Sequence, residues 1–137
     1  MTLVVLYAVT LIVFLAVDAV MLTRFMKPLF ERHVGDIMLA EPRLGVAAAF
    51  YLVYVAGVLR FCSLPALARP EGAVAAAALD GAILGVIAYG TYEFVNLSTL
   101  KGWSWTMTLA DTTWGAVLTA LSAAAGVLAV QALGLSR

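Results

Sequence analysis

Four of the eight carboxylates in this chain, Asp18, Asp80, Glu93 and Asp111, interrupt runs otherwise apolar enough to cross a bilayer. A charged side chain at membrane depth costs at least ~2.5 kcal/mol, so such residues face a bundle interior, take a partner or a proton, and mark function. A carboxyl held there can act as a general acid, relay a proton, or bind a cation or hydroxyl group.

Depth sorts the four. Asp18 lies about a turn before the polar connection that follows the first apolar run. Glu93 lies about two turns before Lys101, and Asp111 under about three turns after it. These three therefore share one half of the membrane. Each also sits on a stripe of small or polar residues at helical spacing: Tyr7, Thr10, Phe14 and Asp18; then Gly81, Gly85, Tyr89, Glu93 and Asn96; then Asp111, Gly115, Thr119, Ser122 and Gly126. The Gly81-x-x-x-Gly85 spacing lets a neighbouring backbone approach. The three acids are expected to converge in one polar cluster, with Asn96 and a tyrosine such as Tyr89 or Tyr92 as hydrogen-bond partners and Thr112 and Trp114 in reach, a network that either locks helix packing or forms a functional site. No basic residue shares their depth, so at least one should hold a proton near neutral pH or bind a cation. Asp80 sits near the opposite boundary, as Arg60 does, and the two are expected to form an ion pair.

Several chemistries lack their residues. The one histidine, His33, lies in a polar connection and reads as solvated, and no Cys/His set suggests zinc, so no metal is expected. Met21 and Met107 read as packing residues and not haem ligands. Lysine-linked retinal has no intramembrane lysine to use. Phosphate-loop and Gly-x-Ser-x-Gly motifs do not occur, and no cofactor is expected. Net charge is zero without a basic or acidic block, which argues against nucleic acid. The single cysteine, Cys62, reads as a packing residue at a helix end.

The elements that must position the acids follow from composition. The chain has 137 residues, 64% of them hydrophobic, and a mean hydropathy of +1.04, against roughly 45 to 50% apolar for soluble domains. The pattern predicts one all-α domain over 1–137, a four-helix antiparallel transmembrane bundle with helices over about 2–23, 44–62, 73–97 and 105–133. The N-terminal run has no basic flank or small-residue cleavage site and is expected to remain a helix. In the connection Arg24 to Arg43, Met26, Leu29, Phe30, Val34 and Ile37 recur at helical spacing, which fits a short helix in the headgroup region or an ordered loop. Pro65 and Pro70 are expected to end the second helix. Arg24, Lys27, Arg32, Arg43 and Lys101 flank one side and Arg60, Arg69 and Arg137 the other, which favours the first and third connections inside.

One group of residues carries a resemblance. Asp18, Phe50-Tyr51-x-x-Tyr54, Gly81-x-x-x-Gly85, Tyr89-x-x-Tyr92-Glu93-x-x-Asn96-Leu97, Lys101-Gly102-Trp103 and Asp111-x-x-Trp114-Gly115 together resemble the bacterial membrane family termed domain of unknown function 2177. The likeness spans essentially the whole chain, with Glu93 where Asp is more usual and Met21 where Trp is more usual. It implies a multi-pass protein of the bacterial inner membrane, in the company of membrane fatty-acid modification, and makes Asp18, Glu93, Asn96, Lys101, Trp103, Asp111 and Trp114 the candidate site. Two functional classes stay open. One is an accessory or binding protein for a lipid, a small ligand or a partner membrane protein, acting as a homo-oligomer or in a larger complex. The other is a small dimeric transporter or lipid-modifying enzyme using a protonated carboxylate.

Overall fold

The computed structural model describes residues 1–136; Arg137, counted in the charge asymmetry above, lies outside them. The described residues are predominantly helical, with no strand. In chain order they form α1 (Thr2–Met21), α2 (Lys27–Val34), α3 (Leu44–Val58), α4 (Leu64–Leu67), α5 (Ala73–Thr99) and α6 (Trp105–Ala132). Four helical stretches are long and apolar enough to cross a membrane: Thr2–Ile37, Leu44–Leu67, Ala73–Thr99 and Trp105–Ala132. Their outer faces carry exposed Ile12, Val20, Phe50, Val53, Ile83, Ile87 and Leu128, a surface that suits lipid and not water.

The first two stretches outrun the expected boundaries for one shared reason. At Leu22–Met26 and again at Leu59–Ser63 the helix widens into a π-turn, in which the Lys27 and Leu64 amides donate to the Leu22 and Leu59 carbonyls five residues back. Each of those amides is the last donor before a proline, Pro28 or Pro65. A proline ring crowds the preceding turn and brings no N–H, and the wider turn absorbs both defects without ending the helix. Pro65 was expected to terminate the second span; the chain instead stays helical to Leu67.

The strongest seam joins α5 to α6. A Cβ on Gly81 would stand 2.8 Å from the Thr119 carbonyl oxygen, and one on Gly85 would strike the Gly115 backbone. The contacts descend one helix as they climb the other, so the pair is antiparallel. The small-residue spacing of α5 thus meets a matching Gly115-x-x-x-Thr119 spacing on α6, and the two backbones approach as only small residues permit. On its other side α6 takes α1, where a Cβ on Gly126 would strike the Thr10 hydroxyl. Leu6, Thr10, Phe14 and Asp18 form the buried stripe of α1. α3 is the least embedded of the long helices: before Val55 it has no buried residue, and Phe50 and Val53 are exposed.

α2 docks across the end of the bundle. Leu29 and Val34 bury with Met107 in a small second core that also takes Phe30 and Trp103, whose rings meet edge to face at 5.4 Å. Gly102, at φ +82°, brings the α5–α6 turn against the His33 carbonyl, where a Cβ would stand at 2.9 Å. The His33 ring is engaged by its own helix, Nδ1 donating to the Leu29 carbonyl at 2.9 Å. Met26, Leu29, Phe30 and Val34 of the apolar stripe in this connection therefore face protein, while Ile37 stays exposed.

Candidate functional site

At the end of the bundle capped by α2, the splay of α3 leaves a half-open cavity of about 480 Å³. Its wall draws on five helices and the first π-turn. Asp18 comes from α1, Leu22 and Met26 from the π-turn, Lys27 and Phe30 from α2, Phe50, Tyr51 and Tyr54 from α3, Ala88, Tyr89 and Tyr92 from α5, and Asp111 and Trp114 from α6. Four of the chain's five tyrosines stand in this one wall.

Local sequence explains why each is there. On α3, Tyr51, Tyr54, Val55 and Val58 fall at helical spacing on the one face that meets the bundle, and Phe14 of α1 packs on both tyrosine rings at 5.3 and 5.5 Å. The Tyr54 hydroxyl is paired with Thr119 Oγ1 at 2.9 Å, tying α3 to α6. Tyr89 packs against Gly115 so closely that a Cβ there would collide with the base of its ring. α6 opens with Ser104 as its N-cap, whose side chain accepts the Met107 amide at 3.1 Å; this fixes the register that presents Asp111 and Trp114 on one side.

Indoles hold the carboxylates. The Trp114 Nε1–H donates to Asp18 Oδ1 at 3.0 Å, joining α6 to α1, and the Trp103 Nε1–H donates to Glu93 Oε2 at 2.8 Å. Glu93 is wholly buried, and its Oε1 has no hydrogen-bond partner. Asp111 lies between the other two acids, acting on Glu93 and acted on by Asp18. The Tyr51 hydroxyl neighbours Asp18. The arrangement is a chain of acids: Asp18 and Asp111 face the cavity, and Glu93 stands behind Asp111, sealed by Trp103 and by Tyr92, whose ring meets that indole edge to face at 5.8 Å.

Basic groups are nearly absent from it. Among the described residues the only ion pair within 4.0 Å joins Lys27 to Glu31, and that pair is half-exposed at the cavity mouth. An exposed pair of this kind contributes ~1 kcal/mol or less. The cavity acids therefore have no basic partner within 4.0 Å among the described residues, although Lys27 lines the same wall. Such an unbalanced pair of carboxylates among aromatic faces can accept N–H or O–H groups, attract a cation, or take up protons.

Of the residues singled out from sequence, Asp18, Tyr89, Tyr92, Asp111 and Trp114 line the cavity, and Glu93 and Trp103 stand directly behind it. Asn96 is half-buried, lies outside the wall and makes no hydrogen bond with the acids; indoles take the role expected of it. Lys101 is exposed on the α5–α6 turn. Tyr51 and Tyr54 were not among the candidates, although their three-residue spacing marks a shared face. Neither were Phe30 and Met26, which belong to the stripe read as a short headgroup-region helix or an ordered loop.

The expected Arg60–Asp80 pair does not form. Depth alone suggested it, and azimuth decides against it. In the second π-turn Leu59, Cys62 and Ser63 turn inward while Arg60 stays exposed, its guanidinium 5.8 Å from the Phe61 ring centroid. Asp80 instead lies half-buried near Cys62.

A family model described as "Predicted membrane protein (DUF2177)" matches residues 3–128. No curated protein and no solved structure matches the chain.

Proposed function

The chain belongs to the DUF2177 family of predicted membrane proteins, and from that premise we propose that it is a binding protein of the bacterial inner membrane, taking a lipid or other amphipathic ligand into the cavity between α1, α3, α5 and α6. One observation carries this reading: the wall of a half-open cavity of about 480 Å³, with seven of its thirteen lining residues aromatic and with carboxylates at Asp18 and Asp111. Pockets of a few hundred Å³ with an apolar lining and a few convergent polar groups are the usual form of small-ligand sites. The splayed α3 gives a ligand a lateral path from the bilayer. Membrane lipids are then the natural occupants, and a homo-oligomer or a larger membrane complex the natural setting.

A photoreactive lipid analogue tests it. Irradiation in proteoliposomes should concentrate adducts on Tyr51, Tyr54 and Tyr89. Adducts spread evenly over outer residues such as Val53 and Ile83 would contradict it.

A second reading, a transporter or lipid-acting enzyme using a protonated carboxylate, is favoured by the unpartnered Oε1 of Glu93 behind Asp111. A carboxyl group there that carries a proton could pass it to Asp111 at the cavity wall. Proton uptake driven by a pH gradient across proteoliposomes, abolished by Glu93→Gln, would favour that reading over simple binding.

A further inference from the structure

Resting on the binding reading above, we infer that the group the cavity recognises is an alkylammonium cation, seated against Asp18 and Asp111 and boxed by the faces of Tyr51, Tyr89, Tyr92 and Trp114. The first ground is charge. Two carboxylates open into the cavity against one lining basic side chain, Lys27, which is half-exposed and paired at 3.9 Å with Glu31. A neutral or anionic head group would leave that excess of acid in place, whereas a cation offsets it.

The second ground is the aromatic wall, which is independent of the acids. Aromatic rings attract cations through the negative face of the ring, and several rings around one point form the kind of enclosure that selects ammonium groups over neutral groups of equal size. Four tyrosines and one tryptophan around two carboxylates supply both halves of that recognition. The third ground is Glu93. It is wholly buried, held by Trp103 through Oε2 and set against the Asp111 carboxyl, so no basic group among the described residues reaches the cavity acids from behind the wall either. The indole N–H of Trp114, already given to Asp18, holds one cavity carboxylate in place.

An alkylammonium group can come from two sources: the ethanolamine head of a membrane phospholipid, or a free amphipathic amine. The recognition chemistry is the same, and two probes separate them. Octylammonium and its neutral counterpart octanol are titrated by isothermal calorimetry into protein in a mild non-ionic detergent. Phosphatidylethanolamine and phosphatidylglycerol are compared as retained lipids by native mass spectrometry.

Octylammonium should bind at least about tenfold more tightly than octanol. Asp111→Asn should abolish most of that difference, as should Asp18→Asn, in which the amide oxygen can still accept the Trp114 bond. Asp80→Asn, an intramembrane acid outside the cavity, should leave it unchanged. Thermal melting of each unliganded variant identifies one that fails to fold, and the other aspartate then carries the test. Preference for phosphatidylethanolamine as well as octylammonium assigns the site to the lipid head group; preference for octylammonium alone assigns it to a free amine. Equal binding of octanol and octylammonium, or an undiminished preference in both folded aspartate variants, overturns the inference. It does so even where photolabelling still places lipid in the cavity, so the binding reading stands or falls separately.

Discussion

The α5–α6 seam and the α3 side of the bundle solve opposite problems with the same helical geometry. Along the seam, Gly81 and Gly85 meet Thr119 and Gly115 so closely that no β-carbon fits at either glycine. On the other side, bulky Tyr51, Tyr54, Tyr89 and Tyr92 keep the helices apart and line a cavity. In a membrane, helices gain no hydrophobic drive from leaving lipid, so close backbone packing must supply association. The seam does that, and it lets the other side stay open. Tyr89 joins the two, since its ring lies on Gly115 at the seam and also lines the cavity.

That contrast can be broken most severely at the seam. Gly85→Leu forces side-chain atoms into the Gly115 backbone and should destabilise the bundle by upwards of about 3 kcal/mol. Thermal melting in detergent would show it as loss of the cooperative transition; a melt like that of the unmodified protein would mean that the seam is not as tight as described.

Glu93 comes next. Glu93→Leu leaves the Trp103 N–H without its acceptor in a buried site and should cost about 1–3 kcal/mol. Glu93→Gln keeps an oxygen for that bond and should melt close to the unmodified protein. If both substitutions behave alike, the Trp103 hydrogen bond contributes little.

Trp114→Phe removes a donor but keeps much of the ring. It should destabilise by about 1 kcal/mol through the lost Asp18 bond, and more visibly loosen α1 from α6. Hydrogen exchange at the α1 end near Asp18 reads this directly: faster exchange there, with the α5–α6 seam still protected, is the expected pattern. On the lipid-facing side, Arg60→Gln should shift stability by less than about 0.5 kcal/mol, because the guanidinium meets only the Phe61 ring. A larger loss would mean that Arg60 pairs with Asp80 in the membrane after all.

How far these two regions were legible differs for physical reasons. The spans follow from apolar runs, and the seam follows from Gly81 and Gly85 four residues apart, because close packing needs small residues at a fixed period. The convergence of Asp18, Glu93 and Asp111 follows from depth along the helix axis, which sequence distance reports well. Azimuth is reported less well. On α3 the buried Val55, Val58, Leu59, Cys62 and Ser63 keep ordinary helical spacing and leave Arg60 outward, away from Asp80, which depth alone does not report. The π-turn at Leu22–Met26 carries α1 onward into α2 and sets Phe30 against Trp103. A proline at 28 or 65 does not by itself announce that the helix runs on through a wider turn. Tyr51 and Tyr54 entered only through the family resemblance and not as site residues, because an aromatic at helical spacing reads equally as lipid-facing until a neighbouring helix is placed.

The most direct test is to fill the cavity and leave the seam alone. Ala88 lines the cavity, and Ala88→Trp should occupy much of its volume while changing stability far less than Gly85→Leu. Native mass spectrometry of both proteins, extracted from the same membranes in the same detergent, counts the lipids each retains. The unmodified protein should carry one tightly held lipid or amine per chain that Ala88→Trp lacks, with equal melting cooperativity; an identical ligand count in the two proteins would contradict a ligand site in the cavity.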